Sequence, residues 1–124
     1  MRKYLLHVLI ISFVFILAPA AHVATYAGEI EDAKEEVRKN PDDAGAHFSL
    51  GVAYGALGKY EEEIESYKQA IRIDPDYADV HNNLGLAYVY LNDRDSALEQ
   101  YEILKSLDTE LANRLFDLIN HIKE

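Results

Sequence analysis

The sequence predicts an all-α fold in which short helical hairpins stack in a row and a last helix closes the stack. Three observations predict it. The chain is self-similar at an offset of 34 residues, and periods of that size mark stacked supersecondary units. Within each unit, apolar residues recur at three-and-four spacing, the period of a helix with one buried face. Glycine, asparagine and proline stand between the apolar runs, where a hairpin has to turn or stop.

The repeat is read by writing residues 44–77 above residues 78–111. Ala44 then falls on Ala78, His47 on His81, Leu50 on Leu84, Gly51 on Gly85 and Ala53 on Ala87. Tyr54 falls on Tyr88, Leu57 on Leu91, Glu65 on Glu99 and Tyr67 on Tyr101. The offset also reaches upstream, placing Ile30 over Ile64, Val37 over Ile71 and Pro41-Asp42 over Pro75-Asp76.

Taken in order, the first helix is expected near 29–39, carrying Ile30, Ala33 and Val37. Pro41 stops it, and Asp42 and Asp43 are candidate caps for the next helix. A helix over 44–57 presents Leu50, Ala53, Tyr54 and Leu57, and Gly58 closes it in the left-handed conformation. A helix over 60–73 presents Ile64, Tyr67, Ala70, Ile71 and Ile73, ending before Pro75, with Asp76 a candidate cap. The second unit repeats the pattern over 78–91 and 94–107, with Asn92 taking the left-handed role of Gly58. Over 110–122, Leu111, Leu115, Leu118, Ile119 and Ile122 fall along one face of an amphipathic helix, the cap that an open stack needs for solubility.

These residues resemble the tetratricopeptide repeat family, whose 34-residue pattern runs large residue, Leu-Gly, Tyr, Ala, aromatic, Pro. The first copy reads His47-x-x-Leu50-Gly51-x-x-Tyr54 with Tyr67, Ala70 and Pro75; the second reads His81-x-x-Leu84-Gly85-x-x-Tyr88 with Ala97 and Tyr101. The resemblance covers residues 29 to about 111. It implies an all-α, TPR-type helical-hairpin solenoid of about two and a half repeats (a half repeat over 29–43, repeats over 44–77 and 78–111) plus a C-terminal capping helix. Gly51 and Gly85 would then permit close helix approach, Tyr54 and Tyr88 would fill the space between paired helices, and Ala70 would hold the next unit tight. Four departures stand out. Glu63 replaces a small residue, Leu104 stands where Ala70 sits one unit earlier, Thr109 replaces the proline, and the large residue is His in both copies. An unpaired buried carboxylate costs several kcal/mol, so Glu63 is expected to reach water or a partner, His47 being one candidate donor.

Residues 1–27 read as an export segment. Arg2 and Lys3 precede an uncharged run whose apolar heart, Leu5 to Ala18, is 14 residues long, against the ~20 of a membrane-crossing helix. Small residues offer cleavage after Ala20 or after Ala27, and the second marks the change to a charged composition at Gly28 and Glu29. Cleavage there leaves 97 residues with a formal charge of −12, in the periplasm or secreted. The alternative is an uncleaved N-terminal helix anchoring the domain in the inner membrane. Either way residues 28–124 form the folded domain. The unpaired first helix leaves an apolar end through which self-association is expected.

Composition excludes several classes of function. The chain has no cysteine, which removes disulfides, thiolate zinc sites and cysteine nucleophiles. With 22 acidic against 12 basic residues it is a poor ligand for nucleic acid, whose binding rests on Lys and Arg at phosphates. The glycines of Gly51 to Lys59 lack phosphate-loop spacing. His47 and His81 with nearby carboxylates would be the ligands of a metal protein or small metal enzyme, the reading from another class. Their family position is a helix interior, so packing is the expected role. No nucleophile–base–acid set is present, so no catalytic residue, metal or cofactor is assigned.

What remains is protein binding. In the family, the first helices of each unit line a concave groove that holds an extended peptide or partner helix. Carried over by position, the partner-binding groove here is Phe48, Ser49 and Val52 from the first unit and Asn82, Asn83, Leu86, Val89 and Tyr90 from the second. Members that clamp terminal carboxylates place Lys, Arg and Asn on this surface. Phe48 and Val52 occupy two of those places and only Asn83 matches. The resemblance therefore implies an exported adaptor or scaffold whose ligand is neutral or basic, with Phe48 and Tyr90 as anchors.

Overall fold

The computed structural model describes residues 23–121; the apolar heart of the export segment and Ile122 lie outside them. The described chain is helical: α1 (residues 23–39), α2 (Ala44–Ala56), α3 (Tyr60–Ile73), α4 (Ala78–Tyr90), α5 (Arg94–Leu107) and α6 (Thr109–Ile119). No strand occurs among the described residues.

Both hairpin turns form as the spacing predicts. Gly58 adopts φ 67° and Asn92 φ 59°, the left-handed geometry that reverses the chain after a helix. Capping departs from expectation. Asp43 caps α2 by accepting from the Gly45 amide at 2.8 Å, but Asp42 does not cap it and Asp76 does not cap α4. Tyr77 stands at that cap without a side-chain bond, because the Asp74 carboxylate instead accepts from the Asp76 amide at 3.2 Å within the turn. Asp93 and Asp108 do cap: Asp93 accepts from the Ser96 amide at 3.1 Å, and one Asp108 oxygen accepts from both the Glu110 and Leu111 amides at 3.0 Å. Each anchors an orphan amide at a positive helix end.

The outer helices differ most from their expected bounds. α1 is already helical at residue 23, not 29, because nothing between Val23 and Ile30 breaks a helix except Gly28, which costs about 1 kcal/mol at such a position. α6 ends at Ile119. Its buried stripe is Ala112, Leu115 and Ile119, while Leu118 is exposed. The helix is rolled by part of a turn from the expected face, so that Phe116 stacks on Tyr101 at 4.9 Å between ring centroids. Arg94 at the start of α5 donates to the Ile119 carbonyl at 2.8 Å and fixes the far end of α6.

Two core clusters run through the stack. Ala44, Tyr67, Ala70, Val80 and Leu84 form the first, tying α2 and α3 to α4. Ala97, Leu104, Ala112, Leu115 and Ile119 form the second, tying α5 to α6. Tyr88 packs against both and joins them. Leu104 is wholly buried where the preceding unit has Ala70, packed with Ala112, Leu115 and Ile119 of α6.

Candidate functional site

The groove residues take three different environments. Phe48 is half-buried, its ring 5.9 Å from Tyr67 and 5.5 Å from Tyr77, so it is wedged into the first core cluster. Val52 is 44% exposed and Tyr90 is 70% exposed. Tyr90 does not meet Phe48; it stacks on Tyr60, with centroids 5.6 Å apart and planes inclined by 12°. Asn82 donates to the Asn83 amide oxygen at 3.3 Å, and Asn83 reaches the Tyr67 hydroxyl at 3.5 Å. Ser49 turns its hydroxyl back to the Gly45 carbonyl at 2.9 Å. Leu86 and Val89 are half-buried against the second cluster.

Beneath this face lies the residue that sequence reasoning left open. Glu63 is only 8% exposed and its Oε2 has no hydrogen-bond partner. Little of it reaches water and it does not meet His47; the hydroxyl of Tyr67 is the side-chain partner beside it. The reason is steric and is visible when the two repeats are compared. Gly55 and Glu63 in the first unit stand where Val89 and Ala97 stand in the second. In the second unit the larger residue comes from the first helix; in the first unit it comes from the second helix. A Cβ on Gly55 would lie 2.6 Å from Glu63 Oε1, so the carboxyl fills the space that the glycine vacates. Burial pushes the Glu63 carboxyl up from its ordinary range, and the Tyr67 hydroxyl beside it pulls partly back. Burial likewise raises Tyr67, reinforced by the nearby Glu63 charge.

The two histidines do the same structural job. His47 Nε2 lies 2.8 Å from the Pro41 carbonyl and His81 Nε2 lies 2.7 Å from the Pro75 carbonyl. A carbonyl only accepts, so each Nε2 carries the proton. Each ring thereby ties its helix to the turn six residues upstream. His81 Nδ1 meets the Gln100 amide at 2.8 Å. In the first unit the equivalent of Gln100 is Ser66, which is too short to reach and bonds the Glu62 carbonyl at 2.9 Å. A cavity of about 310 Å³ remains there, between Val37 of α1, His47 and Tyr54 of α2, and Ser66 and Gln69 of α3. Ser66→Gln is expected to fill part of it, bond His47 and raise stability by about 1 kcal/mol, read by urea denaturation. No three His, Asp or Glu side chains gather as a metal site among the described residues.

Glycine permits close approach in both units, against different partners. At Gly51 a Cβ would lie 2.6 Å from Tyr67 Cδ1, within the same hairpin. At Gly85 it would lie 2.5 Å from Leu115 Cδ2, a side chain of the capping helix. Tyr101, freed from the place Tyr67 holds, stacks on Phe116 instead.

Family models decide the assignment. One described as TPR repeat matches residues 54–92 and one described as tetratricopeptide repeat matches residues 78–110. Residues 54–110 are tetratricopeptide repeats. Solved structures agree on the fold. The TPR2B domain of yeast Sti1, in its pHsp70 complex, superposes with a TM-score of 0.74 at 18% identity over 81% of this chain and 86% of that one. The second TPR domain of human RPAP3, solved with the HSP70 peptide SGPTIEEVD, gives 0.73 at 23% over 82% and 84%. MamA from Desulfovibrio magneticus RS-1 gives 0.66 at 27% identity over 75% of this chain and 52% of that one. The chain spans between 48% and 66% of the MamA structures it matches. No curated protein matches it.

None of Phe48, Ser49, Val52, Asn82, Asn83, Leu86, Val89 and Tyr90 is basic. Ser49, Val52 and Tyr90 are exposed, and apart from the Ser49 hydroxyl the polar members are the amides Asn82 and Asn83. Such a surface can pack an apolar side chain and hydrogen-bond a peptide backbone, but it offers no positive charge to a carboxylate. Tyr60 escaped sequence reasoning because it sits on the second helix of a unit, away from the groove positions the family uses, and Glu63 was noted as a departure without its environment being found. The Gly55/Val89 mismatch between repeats was the signal that could have found Glu63.

Proposed function

We propose that this tetratricopeptide repeat protein is an exported adaptor that holds a protein or peptide segment in the groove lined by α2 and α4, with no catalytic role. The observation that carries the reading is the exposed pair Val52 and Tyr90 on the face where the family binds ligands. Structural relatives in complex with peptides support a peptide ligand, and the absence of groove Lys or Arg favours a neutral or basic one. Export rests on the basic start and the short apolar run ahead of Gly28.

One preparation tests both halves. Protein purified from its own host should begin at Gly28 by mass determination; a chain retaining residues 1–27 in a membrane fraction would replace export with anchoring. Val52→Asp combined with Tyr90→Ala should abolish partner recovery from cell-envelope extract while circular dichroism stays unchanged. Phe48 is a poorer choice for this lesion because its ring supports Tyr67 and Tyr77. Undiminished recovery would move the binding surface elsewhere.

A further inference from the structure

We propose that Glu63 receives a lysine or arginine side chain of the segment held in the groove, so that the ligand is a basic residue flanked by apolar ones. This rests on the groove reading above and adds the charge that reading leaves unspecified.

Four observations converge. Glu63 Oε2 is buried without a hydrogen-bond partner, and a buried acceptor left unmade calls for a donor. The carboxyl lies against Gly55, on the groove-lining helix, where no side chain stands between them. Its neighbour Tyr67 meets Asn83, another groove residue, at 3.5 Å, which links the carboxyl to the groove-lining helix α4 as well as to α2. One helical turn back along α3, Tyr60 shares that face and stacks with exposed Tyr90, supplying aromatic surface for the stem of a long cationic side chain.

Charge selects the occupant. None of the groove residues is basic and Glu63 is acidic, while Lys59, next to Tyr60, is engaged with Glu62 at 3.7 Å. A neutral donor would satisfy Oε2, but a cation also offsets the cost of a buried negative charge. The chain's formal charge of −10 draws such a ligand in.

The test pans the full chain, immobilised, with a random hexapeptide library acetylated and amidated so that neither terminus is charged. One position should be enriched in Lys and Arg over Gln by about fivefold or more, beside positions enriched in Leu, Ile or Phe. Glu63→Gln, nearly the same in shape, should keep the apolar enrichment and lose the basic one. Glu61→Gln, on the exposed side of the same turn, should keep both. Apolar enrichment without a basic position in the unaltered chain would leave the groove reading standing and overturn this one. Basic enrichment that survives Glu63→Gln would overturn it too, assigning the preference to the acidic surface. No enrichment at any position would remove both readings.

Discussion

Tyr67→Ala should lower the unfolding free energy by about 3–5 kcal/mol, the range for emptying an aromatic site in a packed core. The ring is 1% exposed, lies over Gly51 and touches Phe48, so neither neighbour can collapse into the hole without moving a helix. Against a total of about 5–15 kcal/mol for a domain, that loss is severe, and urea denaturation followed by circular dichroism reads it directly. The diagnostic result comes from pairing it with Gly51→Ala. Alone, Gly51→Ala should cost about 2–3 kcal/mol by overpacking against Tyr67, although alanine is the better helix former by about 1 kcal/mol. In the Tyr67→Ala background the clash is gone and the same change should become neutral or stabilising. An equal cost in both backgrounds would show that the glycine serves something other than the approach of α3.

The second large effect concerns the size exchange between repeats. Gly55→Val alone should destabilise by about 2–3 kcal/mol, because the new side chain meets the Glu63 carboxyl at once. Combined with Glu63→Ala, which rebuilds the Val89/Ala97 pairing of the second unit, it should restore at least the original stability. The implied coupling of about 2–3 kcal/mol is at the top of what neighbouring residues show; additive costs would mean the two side chains do not share the space. The carboxyl also gives the fold a pH dependence. Its raised position in the fold means that stability is fully present below the ordinary Glu value of 4.5 and is lost as pH rises through the elevated one. Glu63→Gln should therefore leave stability at pH 4 unaltered and raise it by about 1 kcal/mol at pH 7, allowing for solvent screening near the surface. A variant no more stable than the original at pH 7 would place the carboxyl in contact with water.

Most of the fold was legible because the elements that specify it are local. The three-and-four spacing and the Gly58 and Asn92 turns are properties of a few adjacent residues, and repetition states each of them twice. Caps were less legible: Asp42, Asp43 and Asp76 are equally good acceptors on paper, and only the path of the backbone selects Asp43. The face of α6 was partly misread, because a lone helix has no repeat to compare with and Leu118 is as apolar as Leu115. Glu63 was noticed but not explained, since its environment depends on Gly55 across the hairpin. For the groove, position alone identified Val52 and Tyr90 as surface. It could not distinguish them from Phe48, whose ring turns inward to Tyr67 and Tyr77.

Filling differs along the solenoid, and that has a mechanical consequence. At the carboxyl end Gln100 plugs the gap over His81, Leu115 seats on Gly85, and Arg94 laces α6 down. At the amino end Ser66 leaves its gap open beside α1. A stack held only by its nearest neighbours comes apart where a junction is weakest. Unravelling should thus start by α1 peeling from α2 and α3, well before the opposite terminus loosens, and a pull applied to the amino end would meet the softer seam.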